Sequence, residues 1–345
     1  MAVTPLPGRP MNTSLSLPVH ELSEAGEARR RAGVWARQNG CGEEVGARLA
    51  LVVTELGRNL AIHTKGGRLL LRLLSEGGEK GVQILSLDGG PGVSNFNECL
   101  RDGFSTAGTA GIGLGAAKRA SQVFSVHSQP GVGTALFCEL WSNPQVHRPV
   151  AKWQEGAASV ALAQEPVCGD SWAHLHPKPS VLRLLVADGL GHGSFAAEAS
   201  QKAVEVFLAN PNAELPILLD FIHAALRATR GAAVAVAEVD AGRSVVSYAG
   251  IGNIAGTILN HDKTTSLISM NGTMGVQHRG IRTFSYPWSP DSVLVMNSDG
   301  LKTRWELSQY GGLINRHAAL IAGVLFRDQA RSNDDATVVV ARSQP

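Results

Sequence analysis

The chain has 345 residues, of which 44% are hydrophobic and 17% are charged, a composition typical of globular domains. Its length suits two domains, and its net charge of +2 implies no broad surface for polyanions. No apolar stretch reaches the roughly 18 residues of a membrane span, and the N-terminus lacks a signal-peptide pattern. The four cysteines form no CxxC pair, which fits a reducing compartment and argues against a zinc site. We therefore expect a cytoplasmic protein with neither a nucleic acid nor a membrane among its partners.

The first half of the sequence predicts a flexible tail over residues 1–13 and an α/β domain over residues 14–145. The domain begins with a strand and two helices that carry apolar stripes. The predicted elements are a strand at 14–19, helices at 21–38 and 43–65, strands at 68–74 and 82–87, a loop at 94–110, a helix at 116–122, and strands at 123–127 and 134–141. A proline-containing linker then places a domain boundary near 145–150.

The second half, residues 150–345, combines clustered strands with two long helices. This combination predicts a layered α+β sandwich. The predicted elements are strands at 156–164, 181–188, 232–239, 244–248, 254–259, 292–297 and 336–341, helices at 195–208 and 214–229, and a short helical region at 312–326.

The first domain contains an acid, an amide and glycines in places that suit a nucleotide. Glu55 and Asn59 are four residues apart, so they share one helix face and could position Mg²⁺ and polarise a hydroxyl. Asp88 ends a strand, and the glycines after it allow close approach of the backbone to a ligand. A helix N-terminus favours phosphate. The glycines just ahead of the helix predicted at 116–122 are Gly111, Gly113 and Gly115.

Each of these features alone has an ordinary structural explanation. An acid and an amide four residues apart usually form a solvated helix face, and Asp-Gly-Gly after a strand is usually a turn. A dinucleotide-binding fingerprint would need a parallel βαβ unit that starts with the glycines, and here the glycines follow a loop late in the domain. The sequence therefore does not favour a Rossmann domain.

The order of four motifs, ELGRN, DGGPG, GTAGIGLG and GVGTALF, resembles the GHKL ATP-binding family over roughly residues 15–140. Within that family the resemblance is nearest to RsbT-like switch kinases of anti-sigma-factor systems. It implies a Bergerat-type α/β sandwich that binds ATP with Mg²⁺, with Glu55 as general base toward a serine or threonine hydroxyl. The other implied roles are Asn59 on Mg²⁺, Asp88 on the adenine amino group, Gly90 and Gly92 in the adenine pocket, Gly111, Gly113 and Gly115 around the phosphates, and Thr134 behind the adenine.

Acidic residues at strand ends mark the second domain. The apolar strand from Val181 ends at Asp188, and the glycines that follow leave room for a cation. Oxygen ligands without a Cys or His cluster suit Mg²⁺ or Mn²⁺, and two ions about 3.5–4 Å apart would activate a water for attack on phosphorus. Taken singly, an acid before glycine is most often a turn former. The other candidate acids are Asp170 at the end of an apolar segment, Asp299 after the run 293–298, and Asp334 and Asp335 before the last strand.

As a set, VCGD, VADGLGHG, NSDGL and NDDAT resemble the SpoIIE branch of the PPM metal-dependent serine/threonine phosphatases, and RsbX-type enzymes in particular. The resemblance covers nearly all of residues 150–345, and YAGIGN and GTMGV also fit it. It implies an α/β/β/α sandwich that holds two Mn²⁺ or Mg²⁺ ions, with Asp188 central to catalysis. The implied metal ligands are Asp170, Asp188, Asp299 and Asp334, together with the Gly189 carbonyl.

One position departs from the larger eukaryotic enzymes of the PPM family. Those enzymes place a histidine two residues after the aspartate that corresponds to Asp188, where it can act as general acid. Here that position is Leu190, and the histidine is His192, four residues after the aspartate. We expect His192 to fix the glycine loop rather than to donate a proton.

The two resemblances together predict a bifunctional regulator, with a switch-kinase-like ATP module joined to a metal-dependent phosphatase. The implied substrate is a phosphoserine or phosphothreonine of a STAS-domain anti-sigma-factor antagonist. An alternative is that the N-terminal half senses nucleotide or binds a partner, and gates the phosphatase without transferring phosphate. A two-component histidine kinase is disfavoured because no helical hairpin with a phospho-accepting histidine precedes the nucleotide motifs, and His63 lies inside the nucleotide helix. A homodimer is left open.

Overall fold

The computed structural model describes residues 14–64, 66–76, 78–96, 113–143, 152–260, 263–302 and 304–344. Contacts divide the chain into two compact units. The smaller unit comprises Ala161–Ile254 and Leu267–Trp288, and the larger comprises Ser14–Val160, Ala255–Ser266 and Ser289–Pro345. Within the described ranges, no helix is long and apolar enough to cross a membrane.

The described residues contain both helices and strands, as expected for a mixed α/β protein. In chain order the helices are α1 (Leu22–Gln38), α2 (Glu43–His63), α3 (Gly113–Ala120), α4 (Ser194–Ala209), α5 (Leu215–Leu226) and α6 (Ala318–Gln329). The strands are β1 (Leu15–Val19), β2 (Gly67–Glu76), β3 (Glu79–Asp88), β4 (Val123–Gln129), β5 (Gly133–Trp141), β6 (Trp153–Val160), β7 (Asp170–Lys178), β8 (Val181–Gly189), β9 (Ala232–Asp240), β10 (Val245–Ile251), β11 (Ala255–Leu259), β12 (Thr264–Leu267), β13 (Gly272–Thr273), β14 (Gln277–His278), β15 (Phe284–Pro287), β16 (Val293–Asn297) and β17 (Ala336–Ser343).

The N-terminal part of the larger unit is an antiparallel sheet in the order β1-β2-β3-β5-β4. Side chains alternate between the two faces of such a sheet. Leu69 and Leu71 accordingly pack in one core with helices α1 and α2, whereas Leu70 belongs to a second core. The apolar stripe of α2 recurs every three or four residues, so it buries one side of the helix against the sheet. Its members are Val45, Leu49, Val52, Val53, Leu56 and Leu60.

The second core of the larger unit surrounds helix α6. A further antiparallel sheet, in the order β12-β11-β16-β17-β6, supplies one side of this core. The other side is the second face of the N-terminal sheet, through Leu85, Leu87 and Phe137. Every residue of α6 from Ala318 to Phe326 is buried, because the helix has a sheet on two sides.

The smaller unit is one antiparallel sheet in the order β15-β10-β9-β8-β7, with α4 and α5 packed on it. Strand β8 is buried from Val181 to Ala187, as expected for a central strand. Helix α4 places small residues against the sheet, including Ala199 and Ala203, which permits a close approach. A two-stranded ribbon of β13 and β14 completes the unit.

Most predicted elements are present, and the boundaries show two differences that matter for the sites. Helix α3 begins at Gly113, so Gly113 and Gly115 lie inside its first turn rather than ahead of it. Asp170 begins strand β7 rather than ending an apolar segment. Strands β7, β12, β13, β14 and β15 were not expected, and the predicted boundary at 145–150 lies outside the described residues.

Candidate functional site

Asp88, at the end of β3, is the centre of the polar constellation in the N-terminal sheet. Its Oδ1 accepts hydrogen bonds from the backbone N–H groups of Gly90 at 2.8 Å and Thr134 at 3.3 Å. Burial raises the pKa of the Asp88 carboxyl, and the two N–H donors and the charge of Arg327 partly offset this effect. Within the described residues no donor contacts Oδ2, which leaves this oxygen available to a ligand.

Glycines bring the neighbouring backbone close to Asp88. Gly92 has φ of 64° and Gly133 has φ of 129°, both in the region that disfavours other residues. A Cβ on Gly133 would overlap the Asp88 carbonyl oxygen, and one on Gly92 would overlap the Gln129 carbonyl oxygen. The tight turn that these glycines allow places Thr134 directly opposite Asp88 in the β3–β5 ladder.

Thr134 and the loop after Asp88 are tied together by a short hydrogen-bond chain. The Thr134 hydroxyl lies 2.8 Å from the Ser128 hydroxyl, which in turn accepts the backbone N–H of Val93 at 2.8 Å. This chain fixes the segment that contains Gly90 and Gly92 against the end of the sheet.

Glu55 and Asn59 lie together on α2, both half-buried, as their spacing predicts. The Glu55 carboxylate lies so close to Gly113 that a Cβ there would overlap it, so the acid faces the first turn of α3. The buried Asn59 Nδ2 has no hydrogen-bond partner in the described part of the chain. Because buried polar groups are nearly always paired, this amide is suited to a ligand. Gly115 is buried in α3, and Gly111 lies outside the described residues.

The predicted nucleotide residues thus form two groups. Asp88, Gly90 and Thr134 are joined by hydrogen bonds, and Glu55 is joined to Gly113 by contact. No hydrogen bond among the described residues links Glu55 or Asn59 to Asp88, so a ligand would have to bridge the groups.

Arg327 on α6 is a contributor that the sequence did not reveal. Its Nη1 donates to the Asp88 carbonyl oxygen at 2.9 Å, and its side chain also pairs with Asp328 at 2.7 Å. The residue is 239 positions away from Asp88 in the sequence, so no local pattern could have indicated the contact. It fixes the end of β3 to a helix of the C-terminal part.

In the smaller unit, Asp170 and Asp188 are directly opposite each other in the antiparallel β7–β8 ladder. Asp170 is 2% exposed, and Asp188 is half-buried. The Gly189 N–H donates to the Gly169 carbonyl at 3.2 Å. Residue 189 must be glycine, because a Cβ there would overlap the Ala196 carbonyl of helix α4.

In the larger unit, Asp299 and Asp334 lie at the same end of the paired strands β16 and β17. Asp299 follows β16, and Asp334 lies in the turn before β17. The two turns are in close contact, because a Cβ on Gly300 would overlap the carbonyl oxygen of Asp335. Asp335 itself is 3% exposed. The predicted metal ligands are therefore grouped as one pair of acids in each unit.

His192 contacts Glu165 rather than lying free beside Asp188. Its Nδ1 is 2.6 Å from Glu165 Oε1, and the residues on either side of it, Gly191 and Gly193, have positive φ. This contact ties the glycine loop to the segment before β7, in agreement with a structural role. Glu165 was not identified from the sequence, because its partner is 27 residues away.

The motifs YAGIGN and GTMGV pack beside the strand end that carries Asp188. Ala232, which pairs with Gly189, exchanges two backbone hydrogen bonds with Met274 of GTMGV at 3.1 and 2.8 Å. The Tyr248 hydroxyl of YAGIGN is buried and donates to the Ile254 carbonyl. These motifs therefore form part of the wall around the end of β8.

Comparisons with known proteins match both halves of the chain. Residues 178–344 match the family model described as Stage II sporulation protein E (SpoIIE). The serine/threonine-protein kinase RsbT of Bacillus subtilis (strain 168) is 34% identical over 106 residues, which cover 31% of this chain and 80% of the relative. The phosphoserine phosphatase RsbX of the same organism is 23% identical over 137 residues, which cover 39% of this chain and 68% of the relative.

Two solved structures are similar in fold to more than half of this chain. A structure described as "The bacterial stressosome: a modular system that has been adapted to control secondary messenger signaling" aligns with a TM-score of 0.52 at 26% identity, over 55% of this chain and all of that chain (100%). RsbX in complex with magnesium aligns with a TM-score of 0.50 at 18% identity, over 57% of this chain and 98% of that chain, which shows the fold alone.

These matches confirm the predicted enzyme class, a serine/threonine phosphatase, and agree with the mixed α/β fold described above. They also confirm a likeness to the switch kinase at the N-terminus. The chain therefore belongs to the RsbT family through its N-terminal region, and residues 178–344 of its C-terminal region are similar to SpoIIE.

Proposed function

We propose that the protein is a metal-dependent phosphatase of a phosphorylated STAS-domain protein, with an ATP-binding N-terminal domain that regulates the reaction. The observation that carries this proposal is the directly opposed pair Asp170 and Asp188, at a strand end within the segment that matches SpoIIE. The substrate class is inferred from the RsbT and RsbX likenesses, since those proteins are named as a serine/threonine-protein kinase and a phosphoserine phosphatase.

The donor set of the phosphatase site fits Mn²⁺ or Mg²⁺. Like charges directly opposite in a sheet are destabilising, and a divalent cation held by Asp170 and Asp188 would offset that effect. Two bound ions would supply an activated water and neutralise the phosphoryl charge. The residues proposed to hold them are Asp170, Asp188, Asp299, Asp334 and the carbonyl of Gly189.

The chain's own groups shape this site around the ions. Gly189 allows helix α4 to approach the end of β8, and its N–H bond to Gly169 keeps the two acid-bearing strands in register. The contact between His192 and Glu165 holds the glycine loop that borders Asp188. These contacts fix Asp188 before a substrate arrives, which is the preorganisation that catalysis requires.

The N-terminal constellation fits ATP with Mg²⁺. Asp88 Oδ2 is free to accept the adenine amino group, Gly90 and Gly92 line the turn beside it, and Thr134 backs it. The Asn59 amide nitrogen has no partner among the described residues. A half-turn of the side-chain amide exchanges its nitrogen and oxygen, and the oxygen would then face the position proposed for Mg²⁺. Gly113 and Gly115, at the start of α3, are proposed to receive the phosphates, together with Gly111.

Glu55 would act as general base if this domain transfers phosphate, and its closeness to Gly113, one of the glycines proposed to receive the phosphates, supports this role. The alternative, a nucleotide sensor without kinase activity, is favoured by a separate observation. Helix α6 of the phosphatase segment packs on the N-terminal sheet and contacts Asp88 through Arg327. Through that contact, nucleotide binding at Asp88 could affect the phosphatase segment without any phosphate transfer at Glu55.

The phosphatase assignment is tested with the full chain, Mn²⁺ and a serine-phosphorylated STAS-domain protein. We expect Asp188→Asn to lower kcat by at least about 100-fold, because it removes a charged metal ligand. Asp220→Asn, at an exposed position of α5, is the matched control and should retain full activity. Metal-dependent turnover by Asp188→Asn at the wild-type rate would refute the site assignment.

The nucleotide assignment is tested by calorimetric titration of ATP with Mg²⁺ into the full chain. Asp88→Asn preserves the shape of the side chain but replaces a charged acceptor, so we expect ATP to bind about 10- to 100-fold more weakly. Kinase activity is then measured in the Asp188→Asn background, where the product is not hydrolysed. Transfer to the unphosphorylated STAS-domain protein that is lost in Glu55→Gln supports a kinase, and binding without transfer supports a sensor.

A further inference from the structure

An exposed apolar surface borders the loop that follows Asp188. Leu190, Phe195 and Val276 are 45%, 59% and 63% exposed, although each has a large apolar side chain. Single exposed apolar residues are common, but a contiguous group marks an interaction site. With Arg230, these residues form what we call the Phe195 surface.

The four residues of the Phe195 surface are neighbours in space. The Leu190 N–H donates to the Gly231 carbonyl at 3.0 Å, and a Cβ on Gly231 would lie 3.0 Å from Val276 Cγ2. The Arg230 guanidinium lies 4.8 Å above the centre of the Phe195 ring. The surface is thus continuous with the proposed catalytic loop and lies wholly within the smaller unit.

Arg230 is held in place without an acidic partner. It is exposed, and no carboxylate among the described residues pairs with it. A cation–π contact of about 0.5–1 kcal/mol positions the guanidinium, and its N–H donors have no hydrogen-bond partner among the described residues. The same group lies close to the catalytic loop, because a Cβ on Gly191 would lie 3.3 Å from Arg230 Nη1. A planar guanidinium with free donors suits phosphate or carboxylate groups.

We infer that the Phe195 surface is the docking site for the phosphoprotein substrate, an inference that rests on the phosphatase function proposed above. Arg230 binds an anionic group of the substrate protein next to the phosphorylated residue, and Leu190, Phe195 and Val276 contact apolar side chains around it. The charge of Arg230 complements the negative charge of the phosphorylated segment. A small phosphate ester would reach Asp188 without using this surface.

The inference predicts a selective loss of activity on a protein substrate. In the full chain with Mn²⁺, kcat/KM is measured for a serine-phosphorylated STAS-domain protein and for para-nitrophenyl phosphate. The readout is the kcat/KM for the protein divided by the kcat/KM for para-nitrophenyl phosphate. We expect Arg230→Glu to lower this ratio at least about 10-fold and Phe195→Ser to lower it about fivefold, both through a higher KM for the protein. Arg230→Lys should recover part of the ratio, because it restores the charge.

Two control variants match these substitutions in chemistry but not in position. Leu208→Ser removes an exposed apolar residue of the same helix, 13 positions along from Phe195 and so about 20 Å away. Arg243→Glu reverses a charge beyond the far end of β9, a strand that starts two residues after Arg230 and spans about 26 Å. Both variants should leave the ratio unchanged.

The outcomes separate the docking site from the function itself. If the wild type hydrolyses both substrates and the Phe195 and Arg230 variants keep the wild-type ratio, the docking site is wrong and the phosphatase function stands. A parallel loss on both substrates also contradicts docking, because it places the defect in the catalytic centre. Failure of the wild type on the phosphoprotein overturns the proposed substrate class, and the docking site with it.

Discussion

Replacing His317 by asparagine is expected to remove much of the acid sensitivity of the larger unit. His317 precedes α6, and its Nδ1 accepts the Ala319 N–H at 3.1 Å as a helix cap. Its ring stacks on Phe137 of the N-terminal sheet, with 4.2 Å between the ring centres. Burial lowers the pKa of His317 from 6.5 to about 4, with positive charge from Arg72 and Arg342 adding to the effect and Glu155 opposing it.

The direction of the pH effect follows from the depressed pKa of His317. Above pH 6.5 the imidazole is neutral in both the folded and the unfolded chain, so its contribution to stability is fully present. As the pH falls from 6.5 through about 4, the unfolded chain binds a proton that the folded chain excludes, and stability is lost. The pKa difference of about 2.5, at about 1.4 kcal/mol for each pH unit, amounts to about 3.5 kcal/mol.

The assay is urea unfolding of the full chain at pH 7 and pH 4.5, followed by circular dichroism. Asparagine is a favourable helix cap without a titratable proton, so His317→Asn keeps the cap and loses only the stacking on Phe137, about 0.5–1.5 kcal/mol at every pH. Between the two pH values we expect the wild type to lose about 2 kcal/mol more of its unfolding free energy than His317→Asn. Equal losses in the two proteins would refute a buried, neutral His317.

Four further substitutions or treatments test other contacts. Arg327→Ala should weaken ATP binding about two- to tenfold by calorimetry, since it frees the Asp88 carbonyl, whereas exposed Arg304→Ala should leave binding unchanged. Gly133→Ala should lower stability by about 1–3 kcal/mol in urea, because the new Cβ would overlap the Asp88 carbonyl at a φ of 129°; an unchanged midpoint would contradict this geometry. Ser200→Ala should cost about 1–3 kcal/mol by leaving the buried Ser171 hydroxyl, 2.9 Å away, without its partner, and adding Ser171→Ala should cost little more. The pKa of the Cys138 thiol is raised to about 12 by burial, so iodoacetamide should label it at pH 8 only after unfolding, and labelling of the folded chain would argue against that burial.

Helices and strands whose apolar residues recur at regular spacing could be predicted from the sequence, because that spacing involves only residues close together in the chain. The stripe of α2 identified the residues that are buried, and the acids Asp88 and Asp188 were placed correctly at strand ends. Strand β7 was missed because its histidines and Pro177 hide the alternation, and its pairing with β8 supplies what its own sequence lacks. The helical position of Gly113 and Gly115 was missed because glycine has a low helix propensity.

The candidate sites could also be predicted only where their residues form local motifs. Each acid or glycine motif could be recognised singly, and the order of the motifs suggested which of them belong together. The contacts of Arg327 with Asp88 and of His192 with Glu165 join distant segments, so only the folded chain shows them. The exposed pairing of Arg230 with Phe195 was equally hidden, because neither residue stands in a motif.

Helix α6 shows why the boundary expected from the sequence does not separate two independent halves. In sequence it belongs to the phosphatase segment, yet it covers the second face of the N-terminal sheet. Leu87 packs against Gly323 of α6 so closely that a Cβ on residue 323 would lie 2.9 Å from the leucine side chain. Leu85 and Phe137 pack in the same core. If residues 1–145 were isolated, these side chains would meet water, at about 1.5–3 kcal/mol each. Nucleotide affinity and phosphatase activity should therefore be measured in the full chain, where any coupling between Asp88 and the phosphatase segment has α6 and Arg327 as its physical link.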